Sequence, residues 1–88
     1  MKAILTVVGK DQVGIIAKVS SFLAEKNINI LDLSQTIMDG YFTMMMMTEL
    51  PETSNLKETS DQLQELGHAN DLTITFRNAE LYKSMHQL

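Results

Sequence analysis

Residues 2–8, KAILTVV, set β-branched and apolar side chains at consecutive positions, which predicts a strand with both faces occupied. Past a short polar joint the period changes. Ile16, Val19 and Leu23 keep helical spacing, with Ile15 and Phe22 widening the stripe, so a helix is expected over about 12–26 with Asp11 as its N-cap and Asn27 at its end. Residues 28–38, INILDLSQTIM, return to strand character, but the apolar parity flips between Ile30 and Leu33. That flip predicts a bulge near Leu31–Asp32. Asp39-Gly40 is a strong hairpin signal, and 41–49, YFTMMMMTE, form the returning strand.

Pro51 closes that strand. Thr53 or Ser54 is the expected cap of a second helix over about 55–66, with Leu56, Leu63 and Leu66 inward and Gly67 as its stop. In 71–77, DLTITFR, Leu72, Ile74 and Phe76 alternate with Thr73, Thr75 and Arg77, a half-buried strand. Asn78 can cap a short final helix over 78–88, with Leu81, Met85 and Leu88 near helical spacing.

The order βαββαβ is the split βαβ arrangement. The expected class is therefore α+β, ferredoxin-like: one domain over 1–88, core about 3–77, with a four-stranded antiparallel sheet and two helices on one face. The other sheet face should carry Ile4, Thr6, Val8, Thr73, Thr75 and two methionines. By alternation Met44 and Met46 accompany Phe42 toward the helices, leaving Met45 and Met47 on the open face. Such a semi-apolar face calls for a cover, either the C-terminal helix or a second subunit.

Composition narrows the function more than the fold. Seven basic against eleven acidic residues leave a net charge of −4, which disfavours nucleic acid and anionic membrane as partners. With no cysteine, disulfides, thiolate nucleophiles and cysteine-held metals are excluded. No apolar run approaches the roughly 18 residues of a membrane span, and no leader pattern opens the chain, so a cytoplasmic protein is expected. His68 and His86 lack any carboxylate or histidine spacing of a catalytic or metal site, and Asp32, Asp39 and Glu49 suggest no shared cleft. No enzyme, cofactor or metal is expected.

The joint Gly9–Gly14, GKDQVG, is the one stretch with candidate chemistry. Its glycines have P-loop separation, but Ile15-Ile16 stand where Lys and Ser/Thr are required. Two readings stay open. The glycines can serve close strand–helix packing while Asp11 caps. Alternatively, Gly14 near the helix start can let a small anion approach the free N–H groups, with Asn29 as a neutral donor and acceptor nearby.

The segments G-x-D-x-x-G-I-x-A-x-V from Gly9 to Val19, N-I-N-I-L-D from Asn27 to Asp32 and D-G-Y-F-x-M from Asp39 to Met44 resemble the ACT domain, a small regulatory amino-acid-binding module. With FRNAELYKSMH near the end, the chain looks most like stand-alone bacterial ACT proteins, related to the ACT domains of glycine-cleavage regulators and formyltetrahydrofolate deformylases. The resemblance implies a homodimer binding an amino acid at its interface. Carried over by position, it nominates Gly9, Asp11, Val13, Gly14 and Ile15 from the joint, and Ile28, Asn29 and Ile30 from the second strand. Asp11 or Asn29 would take the ammonium and the helix N–H groups the carboxylate. The chain departs from the family where Gln12-Val13 replaces a frequent Arg-Pro, so ligand specificity does not carry over. A ligand-free module for a protein partner is the alternative implied, and an accessory of one-carbon metabolism the third.

Overall fold

The computed structural model describes residues 1–10 and 13–80. The elements are β1 (Lys2–Lys10), α1 (Ile15–Glu25), β2 (Asn29–Met38), β3 (Tyr41–Glu49), α2 (Leu56–Ala69) and β4 (Leu72–Asn78). All pairings are antiparallel in the order β2-β3-β1-β4, the ferredoxin-like arrangement expected.

The alternation read from the sequence sets the faces. Ala3, Leu5 and Val7 of β1 are wholly buried beside Phe42, Met44 and Met46 of β3. Leu72, Ile74 and Phe76 of β4 complete the sheet side of the core, and Ile15, Val19, Leu23 and Leu63 come down from the helices. Met45 and Met47 face the other way, opposite Thr6 and Ile4 of β1. The bulge is where the parity flip put it, with the β2–β3 register shifting between Ile30 and Asp32. Asp39 and Gly40 both have positive φ (52° and 80°) between the Met38–Tyr41 pair, as a type I′ hairpin turn requires.

The helix boundaries differ from expectation, and glycines are the reason. Gly14 is not the third residue of α1 but its N-cap, left-handed at φ 87°, so the helix starts at Ile15. The expected cap, Asp11, and Gln12 lie outside the described residues. The buried stripe shifts accordingly to Ile15, Val19 and Leu23, and Ile16 turns outward. At α2 the cap is Asn55, whose Oδ1 accepts from the Glu58 N–H at 3.0 Å. Ser54 is used instead in a turn, donating its N–H to the Pro51 carbonyl.

Gly67 does not stop α2. It lies inside the helix, where a Cβ would come within 2.8 Å of the Leu72 carbonyl oxygen and 2.9 Å of Ile74 Cγ1. The glycine lets α2 press onto β4. The helix ends two residues later, where Asn70 N–H bonds the Gly67 carbonyl, its Nδ2 bonds the Leu66 carbonyl, and Asp71 takes φ 60°. Asn78 does accept from the Glu80 N–H at 2.8 Å, opening a helical turn at 79–80. The rest of the expected final helix, 81–88, lies outside the described residues.

Gly67→Ala is expected to destabilise the fold although alanine favours helices by about 1 kcal/mol. Overpacking against a backbone carbonyl costs about 1–3 kcal/mol, leaving a net loss of about 1 kcal/mol in urea unfolding. An unchanged or higher midpoint would mean that α2 rides off β4 freely.

Candidate functional site

β1 runs further than its apolar residues suggested, because Gly9 still pairs with Phe42 on one side and Leu72 on the other. A Cβ there would sit 2.7 Å from Leu72 Cδ2 and 3.2 Å from the Asp71 carbonyl oxygen. Gly9 is thus a strand residue at a close approach, not part of a loop. Gly14 is the opposite case. Nothing lies within 4 Å of its added Cβ, and its left-handed backbone is what demands glycine.

The chain therefore enters α1 through a residue with no side chain to cap it, and the first turn carries no acidic residue. Three or four N–H groups of a helix start have no partner within the helix, and the macrodipole places about half a positive charge there. Gly14 is committed through its carbonyl, which accepts from Lys18 N–H at 2.9 Å. Around this end lies a hollow of about 190 Å³ lined by Gly14, Ile15, Ile16 and Ala17, by Gln35 and Ile37 of β2, and by Phe42. The wall is apolar apart from the Gln35 amide and the helix backbone. It suits a small ligand with one anionic end.

The nominated residues separate into two places. Gly14 and Ile15 border the hollow, and Val13, 99% exposed, stands beside it on the joint. Ile28, Asn29 and Ile30 lie at the other end of β2, where Asn29 pairs with Glu49 while Ile37 pairs with Phe42. Eight residues of strand put Asn29 about 26 Å from Ile37. Ile28 is a core residue and Ile30 packs against the core, so Asn29 alone presents a polar side chain there. Missed from the sequence were Ile16, Ala17, Gln35, Ile37 and Phe42. The signal for Gln35 and Ile37 was present: past the bulge they share the face of Leu33, opposite Met44 and Phe42.

β2 is itself unusual. It is an edge strand, its residues from Leu31 onward are all exposed, and Leu33 (40%), Ile37 (59%) and Met38 (72%) are large apolar side chains among them. Edge strands are normally blunted by lysine, proline, short length or a bulge; β2 has the bulge near Leu31–Asp32, but no lysine or proline over its ten residues. Among the described residues no group of three or more His, Cys, Asp or Glu side chains could hold a metal, and no buried side-chain polar atom lacks a partner.

The model of the ACT domain matches residues 2–77. The chain belongs to the ACT domain family. A UPF0237 protein of Listeria innocua is 51% identical over 89 residues, covering all of both chains. Among solved structures, an ACT domain protein from Streptococcus pneumoniae superposes with a TM-score of 0.85 at 40% identity, covering 94% of each chain. A formyltetrahydrofolate deformylase from Pseudomonas putida shares the fold (TM-score 0.80, 16% identity) over 89% of this chain and 29% of its own. ACT domains are typically regulatory ligand-binding modules and commonly form dimers, and among the described residues of this one no helix is long and apolar enough to cross a membrane.

Gly14→Ala is expected to cost about 1 kcal/mol, the left-handed penalty of an L-residue, and to leave the core packing unchanged. Gly14→Asn should cost less, since asparagine tolerates that region. Equal losses from both, measured by urea unfolding, would mean that space rather than backbone conformation holds the glycine.

Proposed function

We propose that this ACT domain is a non-enzymatic cytoplasmic regulator that works as a homodimer and binds an amino acid, or a metabolite of similar size, in the hollow at the start of α1. The observation that carries the reading is the pairing of a Gly14-led helix start, which has no side-chain cap among the described residues, with an exposed edge strand carrying Leu33 and Ile37 as its neighbouring wall. Two copies joined antiparallel along β2 would satisfy the edge hydrogen bonds and cover Leu33 and Ile37. The same two-fold lays the start of one β2 beside the end of the other, which brings Asn29 of the second copy toward the hollow from about 26 Å away. The N–H groups of Ile15, Ile16 and Ala17 would take the carboxylate. Gln35 and the second copy's Asn29 would take the ammonium, together with Asp11 of the joint.

The absence of a charged side chain in the described wall favours an uncharged ligand side chain. It also supports the second reading, an interaction module that keeps the dimer and has no metabolite response. An enzymatic role in one-carbon metabolism has less support, because the chain corresponds to only 29% of the deformylase that shares its fold.

A thermal-shift screen against amino acids, with mass measured by light scattering, tests both readings. A ligand at a hundred times its Kd adds about 2.7 kcal/mol, a rise of roughly 10–20 °C for a domain of this size. The expected result is a dimer with a selective shift. Leu33→Asp, at an exposed position of the same edge strand outside the lining of the hollow, should give a folded monomer without the shift. A dimer unmoved by the whole panel would support the interaction module, and a wild-type monomer would overturn the dimeric site.

A further inference from the structure

The sheet face away from the helices is not evenly bare. Ile4 and Val8 stand on it along the same strand, yet Ile4 is 7% exposed and Val8 41%. Ile4 is flanked by Met47 and Arg77, one step from the Ala3–Asn78 pair that ends β4. The covered end of the face is therefore the end where the chain leaves the sheet. There Asn78 caps a helical turn through its bond from the Glu80 N–H, and Ala79 is buried although it is not part of the core cluster beneath the helices. From Ile4 a groove of about 170 Å³ runs across β3 to β2, lined by Met45 and Met47 and bounded by Asp32 and Ser34.

We propose that this groove is the seat of the chain's own segment 81–88, LYKSMHQL, continuing the turn that Asn78 caps and crossing the open face from β4 toward β2. The dimensions agree. A helix over 79–88 would be about 15 Å long, and four strands span about 14 Å across three spacings. Its apolar positions Leu81, Met85 and Leu88 recur at the spacing that puts them on one side of a helix, toward Ile4 and the methionines. Methionines suit this seat because their thioethers adapt to an irregular neighbour. With the face closed from within, the β2 edge is left as the surface for a second copy.

The chain has no cysteine, so an introduced pair reports the contact cleanly. In Met45→Cys/Met85→Cys under mild oxidation, the expected product is a disulfide within single chains, read by intact mass under denaturing conditions. Disulfides between chains would overturn the proposal in favour of a second copy on the face, and persistent free thiols would overturn it in favour of a bare one. If that variant fails to fold, Thr6→Cys/Met85→Cys gives the same three readings one strand nearer the exit. Truncation after Glu80 should raise the fluorescence of a hydrophobic dye several-fold on a chain with native circular dichroism. An unchanged signal would count against the seat.

Discussion

The double pairing of β1 is the interaction from which the rest of this domain is built. β1 is bonded along one side to β3 over nine residue pairs and along the other to β4 over seven, and its inward residues Ala3, Leu5 and Val7 are fully excluded from water. Of its two neighbours β4 is an edge strand, while β3 carries β2 as the other edge, and the two edges are treated unequally. β4 receives α2 at close quarters because Gly67 removes the side chain that would hold them apart. Among the described residues β2 shows no such close approach at a glycine, and its far half borders the hollow at the first turn of α1. The close covering of the β4 edge is thus a consequence of the side chain missing at Gly67.

What could be read from the sequence was whatever depends on neighbours in the chain. The Asp39-Gly40 turn, the alternation from Tyr41 to Met47 and the bulge at Leu31 are local, and each stands where its pattern put it. The glycines were harder because their reasons are tertiary. Gly67 followed by a histidine reads as a helix stop, yet the atoms that require it belong to Leu72 and Ile74 on another element. Gly9 reads as a loop residue for the same lack of information about Leu72. The α2 cap was missed by one residue, since Thr53, Ser54 and Asn55 are all able caps and the turn after Pro51 decides among them.

The candidate hollow was only half legible. Gly14 and Ile15 follow from the motif, but the opposite wall, Gln35 and Ile37, depends on the register of β2 against β3, which the bulge resets. The other half of the motif, Asn29, lies at the far end of the strand. A motif with one part at the hollow and the other at the far end of β2, about 26 Å of strand from Ile37, is either not a site or a site shared between chains. The exposed apolar edge gives the second possibility a physical basis, since the surface that needs covering is the surface that would carry Asn29 across.

That geometry has a thermodynamic consequence. A ligand held by groups from two chains binds the pair and not the single domain, so its binding free energy is added to association, and by linkage association tightens ligand binding equally. For so small a domain, which buries only roughly 60–65% of its unfolded surface, such coupling can change both assembly and stability by amounts comparable to the marginal stability of the fold. No moving lid or second domain is then required for a response. In the dimer proposed above, a hollow that the single chain leaves open beside its edge strand would let a metabolite's concentration set the population of the pair.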